Sequence, residues 1–177
     1  MAKKKINITN NYLKLALILV GVVFFTLLIA NIYNNVSKSK INNGYLTKYI
    51  SSINYGEIAN TKLEFSGDTF LYISYTGDRD IYNLDVKLKK IIKDNSLNDK
   101  VIYLDMKERL DTKDYLSKLN ETLGLNDKKI GKLPAILYYK DDILMTIADS
   151  KEGLLRSGDF AQLLEKYEII LPNKSND

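Results

Sequence analysis

Two carboxylates and a guanidinium stand together at Asp78-Arg79-Asp80, between an apolar run and a helical pattern. That places them at a strand-to-helix corner, where open α/β folds bind ligands. Asp105 closes the next apolar run. Asp78, Asp80 and Asp105 then fall at the C-terminal ends of neighbouring strands, and three carboxylates so placed suit Mg²⁺ or Ca²⁺. The spacer Thr76-Gly77 separates Asp78 from its strand, whereas a phosphatase-like nucleophile would end the strand directly. A plainer role is favoured. Asp78 caps the helix, Asp80 complements its positive end, and Arg79 pairs with either acid.

Composition excludes other chemistries. The 177 residues contain no Cys, His or Trp. Without thiolate there is no dithiol exchange, disulfide or Fe–S cluster. Without imidazole there is no Ser-His-Asp triad and no His ligand for zinc. No cofactor is expected. The formal charge is +4, but residues 1–40 hold six Lys and no acid. The remainder carries 20 basic and 22 acidic residues, so it offers no basic face for nucleic acid. The heavy use of Lys, Asn, Ile and Tyr fits a bacterial protein from an AT-rich genome.

Leu15 to Ala30 is a charge-free apolar run, extended by Ile32 and Tyr33. A helix from Tyr12 to Tyr33 spans about 31 Å, close to the hydrocarbon thickness of a bilayer, with an aromatic ring at each interface. Lys3, Lys4, Lys5 and Lys14 precede it and predict a cytoplasmic N-terminus; Lys38, Lys40 and Lys48 follow and weaken that bias without reversing it. A cleaved signal would need a small residue where Leu28 stands, so an uncleaved anchor is expected. The reading is a single-pass protein of the cell membrane. It has a cytoplasmic segment at 1–12, a span at 13–33, a polar tether at 34–43, an extracytoplasmic domain at 44–170 and a tail at 171–177.

Periodicity predicts the elements that position the corner. Leu46, Tyr49, Ile50 and Ile53 recur at helical spacing, so Gly44 to Asn54 reads as a helix stopped by Tyr55-Gly56. Leu63 and Phe65 lie in a weak strand or loop. Phe70 to Tyr75 is a strand. Ile81, Leu84, Leu88, Ile91 and Ile92 form one helical face, and Val101 to Leu104 is a second strand. Tyr115, Leu116, Leu119 and Leu123 form the next helical face, ended by Gly124. Leu133 to Tyr139 and Ile143 to Ala148 form an antiparallel hairpin around Asp141-Asp142. Ser157-Gly158-Asp159 caps a final helix carrying Phe160, Leu163, Leu164 and Tyr167. Tyr72, Tyr75, Tyr103, Tyr138 and Tyr139 recur in strands and read mainly as packing, with Tyr75 beside the corner.

The order α-β-α-β-α-β-β-α resembles the thioredoxin fold, an α/β mixed sheet with flanking helices. Pro134, in KIGKLPAILYYKDD, stands where that family places a proline, normally cis, at the start of the third core strand. Laying LYISYTGDRDIYNLDVKLKKII on the bacteriocin transport accessory pattern puts Asp78, Arg79, Asp80 and Ile81 at the CxxC positions, with both sulfurs absent. The resemblance spans roughly residues 60–168. It implies that Leu133–Pro134 is cis and lies across from Asp78, and that the proline loop still contacts peptide without sulfur. The resulting expectation is a redox-inactive binding or accessory module. Its peptide or protein partner would be held by Tyr75, Asp78, Arg79, Asp80, Leu133 and Pro134. The alternatives are a divalent-metal enzyme using Asp78, Asp80 and Asp105, or a structural subunit of an envelope or export complex.

Overall fold

The computed structural model describes residues 8–60, 65–149 and 153–170. The chain divides into two units, residues 1–39 and 40–177.

In the first unit the described chain is one helix, the start of α1 (Ile8–Asn42). Its apolar side chains are exposed, Leu19 at 64% and Phe25 at 66%. It is long and apolar enough to cross a membrane. Thr26 Oγ1, the hydroxyl within the apolar run, donates to the Val22 carbonyl at 2.8 Å. This local bond satisfies the hydroxyl without any outside partner. The polar stretch read as a tether is helical as far as Asn42.

The second unit is built on one five-stranded sheet in the order β1-β3-β2-β4-β5. Its strands are β1 (Ser51–Asn54), β2 (Asp68–Ser74), β3 (Val101–Asp105), β4 (Ala135–Lys140) and β5 (Ile143–Asp149). β1 and β2 both pair parallel to β3; β4 runs antiparallel to β2, and β5 antiparallel to β4. The helices are α2 (Tyr55–Asn60), α3 (Arg79–Asp94), α4 (Tyr115–Thr122) and α5 (Ser157–Lys166). Parallel βαβ units followed by a ββα hairpin unit make this a thioredoxin-like fold.

β2 lies at the centre, and all its residues after Asp68 and Thr69 are at most 1% exposed from Phe70 to Ser74. Alternation then sorts its side chains into two layers. Phe70 and Tyr72 join Leu84 and Leu88 of α3 and Phe160 and Leu164 of α5. Leu71 and Ile73 join Ile58 of α2 and Leu119 of α4. The sheet is thus covered on both faces.

One predicted element is wrong. Residues 44–54 do not form a helix: a short 3₁₀ turn at Leu46–Lys48 leads into β1, and Tyr55-Gly56 begins α2 instead of ending a helix. Leu46 and Ile50 enter the α3/α5 layer while Ile53 packs against the opposite one, a division that one helical stripe cannot make. Pairing of Ser51 with Ile102 through Asn54 with Asp105 overrides the local spacing. Phe65 is a buried loop residue, and Leu63 lies outside the described residues. The final helix opens at Ser157, with the Asp159 carboxylate accepting the Arg156 backbone N–H at 2.7 Å.

Candidate functional site

The corner after β2 is shaped by Gly77 and Asp78. Gly77 takes φ +96°, a region that side chains disfavour, and donates its N–H to the Ile41 carbonyl at 3.2 Å. Asp78 is extended, at φ −107° and ψ 138°, and stands as the N-cap of α3. Its Oδ1 accepts the backbone N–H groups of Asp80 at 2.7 Å and Ile81 at 3.0 Å. Two of the free donors at the start of α3 are thereby satisfied.

Asp105 is held by different partners. Thr76 Oγ1 donates to its Oδ2 at 3.1 Å, and the Lys107 backbone N–H donates to its Oδ1 at 2.9 Å. Asp80 is exposed and lines a cleft of about 680 Å³ between α3 and α5, together with Lys87 and Arg156. Asp105 and Thr76 line a separate cleft of about 280 Å³ with Asn42, Asn54, Lys107 and Arg109. The three acids therefore do not converge. Among the described residues no group of three or more acidic side chains could hold a metal ion. Nor does Arg79 form an ion pair with either neighbouring acid; it is exposed, and among the described residues no ion pair includes it.

Tyr75 is half-buried between the corner and the α4 side of the sheet. Burial raises the affinity of its hydroxyl for the proton, and the nearby Asp78, Tyr115 and Asp80 add to the effect. Tyr75, Tyr115 and Leu116 all pack on the same apolar layer and remain partly exposed.

The Leu133–Pro134 peptide bond is cis. Ala135 pairs with Ile73, so counting back sets Pro134 level with Ser74 and Leu133 level with Tyr75 at the mouth of the corner. Both Leu133 and Pro134 are buried. Their contribution to an outer surface is thus the shape they impose more than side-chain area.

Asn120 is a positioning residue that periodicity did not reveal. At 7% exposure it donates to the carbonyls of Leu116 (2.9 Å) and Ile130 (3.1 Å) and accepts the Ile130 N–H at 2.7 Å. It clamps the loop that delivers Leu133–Pro134. Its polar side chain sits beside Leu119 on an otherwise apolar face, which was the available signal. Asp85 is the second such residue. It lies 2% exposed on α3, and Tyr72 donates its hydroxyl to Asp85 Oδ1 at 2.8 Å.

No protein-family model matches the chain, and no curated protein matches it. Solved structures do. Plasmodium falciparum thioredoxin is 13% identical, with 67% of this chain and 99% of that one covered at a TM-score of 0.46. For Chlamydomonas reinhardtii thioredoxin f2 the identity is 6%, the coverage 68% and 98%, and the TM-score 0.48. Mitochondrial thioredoxin 3 from Saccharomyces cerevisiae is 12% identical, covering 67% and 96% at 0.45.

Proposed function

We propose that this chain is a membrane-anchored accessory module. In this reading a thioredoxin-like domain without thiols holds a peptide or protein partner outside a bacterial cell membrane. The observation that carries it is the corner itself. Asp78 is committed to the α3 backbone, while Tyr75, Tyr115 and Leu116 offer partly open apolar surface, with Asp80 within electrostatic reach of Tyr75 and Arg79 exposed between the two acids in the chain. An apolar floor with a charged rim is the anatomy of a binding patch. Thiol–disulfide exchange requires a thiolate, and the chain has no cysteine. The chain resembles the bacteriocin transport accessory pattern at Asp78 to Ile81, and Pro134 stands where thioredoxin-fold proteins in general place a proline.

The apolar helix supplies the anchor, and the Lys residues before it favour a cytoplasmic N-terminus. Anchoring raises the concentration of the domain at the membrane surface without adding any contact. The test is capture from the native envelope by the full chain and by Tyr75→Ala/Arg79→Glu. The partner recovered with the parent chain should be lost with the double variant, while protease added outside intact protoplasts still reaches both. Equal recovery with both chains would remove the corner from the reading, and protection from protease would remove the orientation.

A further inference from the structure

The corner stands over a buried polar cluster that none of its surface chemistry uses. Asp85 of α3, Tyr72 and Ser74 of β2 and Tyr103 of β3 are all at most 2% exposed. Register and alternation place Tyr72, Ser74 and Tyr103 on the sheet face that α3 covers. The Tyr72 and Tyr103 rings meet edge to face, 5.5 Å apart. One hydrogen bond inside the cluster is well formed, from the Tyr72 hydroxyl to Asp85 Oδ1. Burial pushes both tyrosine hydroxyls well above their ordinary range; Asp85 adds to the effect and Ser74 opposes it. Even so, among the described residues neither Ser74 Oγ nor the Tyr103 hydroxyl has a hydrogen-bond partner of proper geometry.

Among the described residues no ion pair includes Asp85. The groups acting on Asp85 are the Tyr72 hydroxyl, the Tyr45 backbone N–H and, from β3, the Asp105 carboxylate, which opposes ionisation. Tyr103 is likewise under the field of both Asp85 and Asp105. Lys89, one turn further along α3, is drawn elsewhere: its Nζ sits 3.5 Å over the Tyr49 ring and 5.3 Å over that of Tyr45. Two neutral donors and a repelling acid do not replace the hydration that a buried anion loses.

We propose that Asp85, with Tyr72, Ser74 and Tyr103, forms an internal proton-binding site that couples the docking of α3 on the sheet to pH. Protonated Asp85 is a neutral group that α3 buries at little cost. Loss of the proton leaves an anion between helix and sheet, and the docked state weakens. Because α3 begins at Asp78, the geometry of the corner follows the same equilibrium. Burial holds the Asp85 carboxyl at about 7, which sets the working range near neutrality. The site stands whether or not the corner holds a partner.

The direct test is a carbon NMR titration of the Asp85 side-chain carboxyl in the full chain, in detergent micelles. The expected midpoint is about 7. Tyr72→Phe should move it higher, because the lost hydroxyl donates to the anion. A wild-type midpoint near the ordinary value of ~4 overturns the proposal without need of any variant. Hydrogen exchange reads the docking. After correction for intrinsic rates, protection of the Leu84 and Leu88 amides should fall with rising pH, by up to roughly tenfold per unit between about 5 and 7, and then level off. Asp85→Asn should abolish that slope. The same slope in both chains would also overturn the proposal.

Discussion

Removing the Asp78 carboxylate is the sharpest way to separate a structural corner from a reactive one. Its Oδ1 accepts two backbone N–H groups, at 2.7 and 3.0 Å, at the start of a helix running from Arg79 to Asp94. Replacement of such a cap by alanine costs about 0.5–2 kcal/mol, and loss of its charge at the helix N-terminus about 0.3–1 kcal/mol. Asp80 retains part of the favourable charge, so we expect a loss of about 1.5 kcal/mol for Asp78→Ala. Asp78→Asn keeps an acceptor and should lose only the charge contribution, about 0.3–1 kcal/mol. The assay is urea unfolding of the full chain in micelles, followed by near-UV circular dichroism of its 13 tyrosines. A capping effect lowers the midpoint and leaves the slope unchanged. If Asp78→Ala were within about 0.3 kcal/mol of the parent, the two hydrogen bonds would not be what holds the corner.

Two further outcomes follow from buried polar groups. For Asp85 the sign is set by a carboxyl raised to about 7 in the folded domain from ~4 when unfolded: its stabilising contribution is complete below ~4, falls as pH rises and is exhausted above about 7. Relative to Asp85→Asn, the parent should therefore lose about 4 kcal/mol across that window, and parallel curves for the two chains would refute the assignment. Asn120→Ala strands the buried N–H and C=O of Ile130, and should cost about 1–3 kcal/mol for each group left unpaired. Thermal unfolding checks the total, and amide exchange at Ile130 and Gly131 should rise first.

Elements whose packing agrees with their own periodicity were legible in the chain. α3 announces itself through Ile81, Leu84, Leu88 and Ile92, all buried in the structure, and β2 through an unbroken apolar run that both layers enclose. β1 was not legible, because a four-residue edge strand is defined by its partner β3, some fifty residues away, and not by its own spacing. The accidental helical spacing of Leu46, Tyr49, Ile50 and Ile53 filled that gap with the wrong element. At the site, residue order located the ends of β2 and β3, but the ends do not dictate where a carboxylate turns. Asp78 turned to its own helix, the capping role favoured for it from the sequence, and Asp105 to Thr76 and Lys107, so the alternative of three converging carboxylates is not met. Asp85 was hidden for the opposite reason. It forms no motif, although it occupies a position of the apolar stripe of α3, four residues after Ile81 and three before Leu88. An acid in such a stripe is itself the signal.

Site-specific photocrosslinking in living cells tests the central claim most directly. A photoreactive residue is placed at Tyr75 or Arg79 in the corner, and separately at Lys140, which pairs with Asp68 at the opposite end of β2. A partner held at the corner predicts one discrete adduct from the Tyr75 and Arg79 positions and none from Lys140. Equal labelling from all three positions, or an adduct from Lys140 alone, would contradict a binding site at this corner.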